Sequence, residues 1–233
     1  MRVRTLALAF VFLPIATTLA VELTPAQRTL FDGLSAHRRV ALAYLRTGNT
    51  DLAAVEIELL IERWRANLPG LGPIERSFQR SLAEAEENFE GSLSALEKNN
   101  LDQARALLEG ASAPLKEWRD SVGIRLFSDC ITELSQAYGR LDVYRVRVPD
   151  LGNASTRDAV LTASLGTEGT VMRCDEEATS QTRTHPEFRR LIDGMLNSLR
   201  QTPEALLQRD GNYLHRLLIE QRSFEQLLQF RFG

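Results

Sequence analysis

The apolar residues of this chain recur at helical spacing almost from end to end, and no stretch alternates with the period of two that a half-buried strand requires. That periodicity restricts the chain to helices laid side by side. It is plain at 25–47, where Leu30, Leu34, Ala41 and Leu45 share a face, and at about 73–98, with Ile74, Phe78, Leu82, Ala85, Phe89, Leu93 and Leu96. It recurs at about 124–145 with Phe127, Cys130, Ile131, Leu134, Tyr138 and Leu141, and at about 212–230 with Leu214, Leu217, Leu218, Phe224, Leu227 and Leu228. Between these, one helix runs from Thr50 or Asp51 to Pro69-Gly70. Another spans about 101–122 and is bent at Pro114. A third spans about 155–182 and is divided at Gly166 and Gly169. A fourth opens at His185-Pro186 and restarts at Pro203. Three turn phrases, Arg46-Thr47-Gly48-Asn49, Glu97-Lys98-Asn99-Asn100 and Arg209-Asp210-Gly211-Asn212, each end one stretch and open another. The expected fold is all-α: antiparallel helical hairpins forming one or two up-down helical bundles.

The first twenty residues follow a different logic. Arg2 and Arg4 precede an apolar run from Leu6 to Ile15, and Thr18-Leu19-Ala20 places small residues where a signal peptidase reads. We expect a secretory signal over 1–20, cleaved after Ala20, since a run of about ten residues falls short of the roughly 20 that a spanning helix needs. The expected location is the periplasm or the exterior, with no transmembrane anchor after cleavage. The remainder divides into an N-terminal helical-hairpin bundle over 21–122 and a C-terminal helical bundle over 123–233. The chain has two cysteines, Cys130 and Cys174. An even count in an oxidising compartment predicts one disulfide inside the second bundle. The net charge is −3, and −5 once Arg2 and Arg4 are removed. That balance argues against nucleic acid, whose binding relies on a surplus of Lys and Arg against phosphate.

Around the first turn phrase, Ala41, Tyr44, Gly48, Ala53 and Ile57 follow one another at spacings of 3, 4, 5 and 4. This skeleton, about residues 37–66, resembles a tetratricopeptide helical hairpin, in which small residues let two helices approach closely. More loosely, 88–118 resembles it too: Leu45, Asn49, Asp51 and Ala53 recur 51 residues later as Leu96, Asn100, Asp102 and Ala104. A spacing of 51 departs from the 34-residue period of that family. The resemblance implies a concave surface for a protein or peptide and transfers no catalytic residue.

Chemistry-bearing motifs are sparse. His37 falls between Leu34 and Ala41, His185 precedes Pro186 and His215 adjoins Leu214, with no second ligand in view for any of them. Paired Glu-x-x-His and Cys-x-x-Cys-His motifs are absent, so neither a di-metal carboxylate centre nor covalent haem is expected. Glu84, Glu86, Glu87 and Glu90 read as a solvated helix face with Arg80. We therefore expect no cofactor, no bound metal and no enzyme. The reading is an exported binding or scaffold protein whose partner is another periplasmic or membrane-associated protein. The alternative is a ligand- or metal-binding accessory bundle serving a cofactor protein, which calls for an enclosed cavity near His37 or His215. The candidate partner-binding residues are Tyr144, Arg145 and Arg147 of the loop 142–153, and Phe230 and Phe232 near the end of the last helix.

Overall fold

Each turn phrase joins two helices by the same backbone device. In the computed structural model, which describes residues 23–233, Gly48, Asn99 and Arg209 take the left-handed conformation, with φ of 75°, 58° and 51°. The N–H of the next residue reaches back to the carbonyl of Tyr44, Ala95 or Ala205, which closes the helix C-terminus. That same residue, Asn49, Asn100 or Asp210, then opens the following helix. Its side-chain oxygen accepts from the backbone N–H of Leu52, Gln103 or Tyr213. In the third phrase the left-handed residue is Arg209, although a glycine lies two positions on. Gly211 is the first residue of the next helix instead, where a Cβ would lie 2.8 Å from the carbonyl oxygen of Pro149. The signal segment expected at 1–20 lies outside the described residues.

All the described regular structure is helical, as expected. The first unit comprises α1 (Pro25–Thr47), α2 (Thr50–Asn67), a 3-10 turn (Leu68–Leu71), α3 (Arg76–Glu97), α4 (Leu101–Gly110) and α5 (Ala113–Ser121). The hairpin α1–α2 packs through Ala41, Ala53 and Ile57, and α3–α4 through Ala95 and Ala104, all buried. Trp118 of α5 stacks on Phe78 of α3 at 3.8 Å between ring centroids, and its indole N–H donates to Glu75 at 2.7 Å. The expected bend at Pro114 is a break. The proline sits at the start of α5, where its missing N–H has no helical partner to lose.

The second unit comprises α6 (Phe127–Asp142), α7 (Ala154–Glu177), the short α8 (Ser180–Thr184), α9 (Pro186–Leu207) and α10 (Gly211–Phe232). Each of α6, α7, α9 and α10 packs on two neighbours, closing an up-down ring of four helices. Cys130 of α6 and Cys174 of α7 are disulfide-bonded in its core, with their Cα atoms 5.6 Å apart. Two expectations about interruptions need correction. First, α7 runs unbroken through Gly166 and Gly169, because it is clamped between α6 and α9 along a buried seam of Ser164, Thr167, Thr170 and Val171. Second, α9 runs unbroken through Pro203, where Leu199, Thr202, Ala205 and Leu206 are buried in the second bundle and hold the chain helical despite the backbone bond the proline forfeits.

The two units have separate hydrophobic clusters. One is assembled from residues Leu23 to Ile124 and the other from Cys130 to Leu228. Helices of one unit make only isolated contacts with helices of the other. Both tryptophans, Trp64 and Trp118, belong to the first cluster, and the disulfide belongs to the second. Reducing the bond removes about 4 kcal/mol of chain-entropy stabilisation from the second unit alone. In a urea titration, reduction is therefore expected to introduce an early step in far-UV circular dichroism while the tryptophan fluorescence midpoint stays in place. A fluorescence midpoint that falls with it contradicts independent cores.

Tyr138 gives a second check. Its hydroxyl donates to the Leu218 carbonyl at 2.6 Å, and burial pushes the phenol well above its ordinary range, with Asp142 adding to the effect. The fold thus favours the neutral form. The stability this contributes is complete below about pH 10 and is lost as the pH rises further. Spectrophotometric titration is expected to show a late tyrosine component, from Tyr138, that ionises above the ordinary phenol range. In Tyr138→Phe the late component disappears.

Candidate functional site

The thin junction between the units leaves a cleft of about 900 Å³. One wall is a single face of α1: Phe31, Ser35, Arg38, Leu42 and Arg46 follow at helical spacing beside the stripe that enters the core. The opposite wall is the last three turns of α10, with Arg222, Gln226, Leu227, Phe230 and Gly233. Between them lie the end of α4, α5, the connection through Leu126 and the first turns of α6. The connection turns sharply at Gly123 (φ 74°), which lets the Ile124 N–H reach the Arg119 carbonyl at 2.8 Å.

Two contacts close the cleft at its ends. Arg119 of α5 and Asp129 of α6 form a buried ion pair at 2.7 Å. The other carboxylate oxygen of Asp129 accepts from the Leu126 N–H at 2.8 Å, and the Arg119 guanidinium lies 5.0 Å over the Phe31 ring. Arg39 of α1 donates to the main-chain oxygen of Gly233 and approaches the carbonyl of Arg231, so a cation from the first unit meets the C-terminal end of α10.

The electrostatics of the cleft are unbalanced. Among the described residues that line it, six basic side chains face three acidic ones, and one of the six, Lys116, pairs with Asp120 outside the lining at 2.6 Å. Asp129 is committed to Arg119. Glu225, also buried, accepts from Ser135 and pairs with Arg222 at 2.8 Å. Glu109 is the remaining acid, and it acts on Arg38 through its field only, since Arg38 forms no ion pair among the described residues. Burial holds the Arg38 guanidinium below its ordinary range. Burial and then repulsion from Arg38 do the same to Arg39, with Asp32 opposing. Buried Nε–H groups of Arg38, Arg39 and Arg119 find no acceptor among the described residues. The cleft is therefore rich in donors and poor in acceptors. Beside those donors stand exposed apolar groups, Leu227 and Phe230. Its lining contains no histidine or cysteine.

The residues singled out from sequence are dispersed. Phe230 lines the cleft, with the Arg231 guanidinium over its ring at 5.6 Å. Phe232 turns the other way and meets Phe188 edge-on at 5.1 Å in the second core. Tyr144, Arg145 and Arg147 lie beyond the opposite end of α6, whose 16 residues span about 24 Å. Tyr144 packs on the core, Arg145 pairs with Asp142 at 2.6 Å, and Arg147 is exposed. The structure thus does not assemble these residues into one surface. Leu227 also departs from expectation, since its side of α10 faces the cleft.

The histidines are engaged elsewhere. His37 meets Glu56 of α2 at 2.9 Å, and His215 meets the Arg145 carbonyl at 2.8 Å, tying the loop 143–153 to α10. His185 is exposed at the start of α9, edge-on to Phe232. Glu86 and Glu90 both pair with Arg65 across the α2–α3 contact. Among the described residues no group of three or more His, Cys, Asp or Glu side chains converges as a metal site does, and no helix is long and apolar enough to cross a membrane. No protein-family model matches the chain, and neither a curated protein nor a solved structure shows significant similarity to it.

Sequence reasoning passed over Arg38, Arg39, Arg119 and Arg222 because 26 of the 28 basic residues are arginine, so none stands out. The available signal was Arg38, Leu42 and Arg46 at four-residue spacing, flanking the apolar stripe of the first helix. Breaking the buried pair on one side strands a charge. Arg119→Met is expected to cost about 3–5 kcal/mol by urea denaturation, and Arg119→Met with Asp129→Leu to recover at least half of it. Equal losses in the two variants contradict this.

Proposed function

We propose that the protein is an exported, non-enzymatic helical binding protein that engages another exported protein through the cleft between its two bundles. The observation that carries this reading is the surplus of arginine donors facing exposed apolar side chains in a cleft walled by two separately cored units. Such a lining can hold and orient a partner. Among the described residues, none of the lining serines Ser35, Ser112, Ser128 and Ser223 is hydrogen-bonded to a carboxylate of the cleft that could activate it, and Asp129 and Glu225 are committed elsewhere. Export is supported by the sequence pattern of residues 1–20 and by the disulfide, a bond that persists in oxidising compartments. The resemblance of the first hairpin to tetratricopeptide units is consistent with a protein-binding role.

The test is site-specific photocrosslinking in the envelope of cells that make the protein. A photoreactive phenylalanine at Leu227, in the cleft, is expected to capture a discrete partner. The same group at Leu165, exposed on α7 outside the lining, is expected to capture none. Identical adducts from both positions, or none from the cleft, contradict the proposal. N-terminal sequencing of the exported protein is expected to read Val21 first.

A further inference from the structure

Resting on that reading, we infer that the cleft takes an acidic peptide segment, its carboxylates paired with Arg38 and Arg39 and its neighbouring apolar side chains laid on Leu42, Leu227 and Phe230. Three independent features of the lining lead to this chemistry.

The first is the state of the cations. Of the three acids in the lining, Asp129 and Glu225 already have partners within the protein, and Glu109 alone faces Arg38. Arg38 and Arg39 each hold a buried Nε–H without an acceptor among the described residues. A guanidinium presents its N–H groups as a planar fork, which a carboxylate satisfies with two parallel bonds. Adjacent in sequence on one helix, the two arginines repel one another, so an anion set between them relieves that repulsion as well as supplying acceptors.

The second is the apolar component. Leu227 is 37% and Phe230 38% exposed, and both stand in the same cleft as the arginines. A bare anion leaves them wet. A peptide that interleaves acidic and apolar residues covers them. The third is size: at about 900 Å³ the cleft lies at the upper end of the range for compact ligands, enough for a short segment and too small for a folded domain. Recognition of acidic motifs by clustered arginines is a recurrent mode of peptide binding.

The thin junction adds a mechanical consequence. Arg39 holds the C-terminal end of α10, and a ligand carboxylate competes for the same guanidinium. Binding therefore exchanges a contact between the units for one that passes through the ligand.

The experiment measures binding of a fluorescein-labelled hexapeptide of alternating glutamate and leucine to the disulfide-bonded protein. Its glutamine–leucine counterpart, inorganic phosphate and phosphatidylglycerol vesicles serve as separate arms. The acidic peptide is expected to bind with an affinity that falls as salt rises. Arg38→Gln and Arg39→Gln are each expected to weaken it about tenfold or more, the loss of one charge-assisted pair. Arg38→Lys, which keeps the charge and loses the fork, is expected to fall between. The comparison of the two peptides uses the unaltered protein, so it stands even where a variant folds poorly. Equal binding of the glutamine peptide overturns the acidic assignment and leaves the cleft a protein-binding site if Leu227→Asp abolishes that binding. If neither peptide binds and phosphate or vesicles do, the acidic assignment and the protein-partner reading fall together.

Discussion

Arg119 and Asp129 meet where the two hydrophobic cores end, and the spatial relation between the bundles depends on that meeting. A desolvated ion pair is worth little as a source of net stability, but its geometry is exacting. The pair fixes the end of α5 against the start of α6. Asp129 also satisfies the Leu126 N–H, and Arg119 covers Phe31, so one interaction ties together the connection, the first core and the first turn of the second bundle. Isolated contacts elsewhere would leave two bundles on a hinge. With the pair in place and Arg39 holding the end of α10, they become the walls of a cleft.

The character of that cleft follows from how α1 divides its surface. One stripe, with Leu30, Leu34, Ala41 and Leu45, is buried in the first core. The adjacent stripe carries Arg38, Leu42 and Arg46, and the angle between the bundles brings it opposite the last turns of α10. The half-buried Arg38 guanidinium there is desolvated without an ion pair among the described residues, and Arg39 meets only main-chain oxygens. Their stabilisation is incomplete inside the protein, and this distinguishes them from Arg65, Arg125 or Arg173, which are matched by carboxylates on neighbouring helices. Buried polar groups lacking partners are costly, and their gathering around a cleft supports the proposal that a ligand completes them.

Much of the architecture was legible in the sequence, because helix formation and capping are local. The apolar stripes located the helices, the cysteine pair located the bridge, and the turn phrases marked the hairpins. The repeat at 51 residues proved to be an equivalence of turns: Asn49 and Asn100 cap α2 and α4 after left-handed Gly48 and Asn99. Where sequence reasoning erred, packing had overridden local preference. Gly166, Gly169 and Pro203 all sit inside helices that run on without interruption, packed between their neighbours. Gly211, the obvious turn residue, is required for the close approach of Pro149, and Arg209 takes the strained position. The cleft was not legible, because it is built by residues from α1, α5, α6 and α10 that no single helical pattern unites. The terminal aromatics show the same limit. Phe230 and Phe232 look equivalent in sequence, yet two positions along a helix separate cleft from core.

The most direct test of this account is the distance between the bundles. Leu59→Cys on α2 and Leu165→Cys on α7 place spin labels at exposed sites in different units, and the native cysteines, being disulfide-bonded, do not react. Double electron–electron resonance is predicted to give one narrow distance in the otherwise unaltered protein. It is predicted to give a broad distribution when Arg119→Met, Asp129→Leu and Arg39→Gln are combined, with helix content unchanged. A distribution as narrow in the combined variant as in the parent would contradict the claim that these few charged contacts hold the cleft in place.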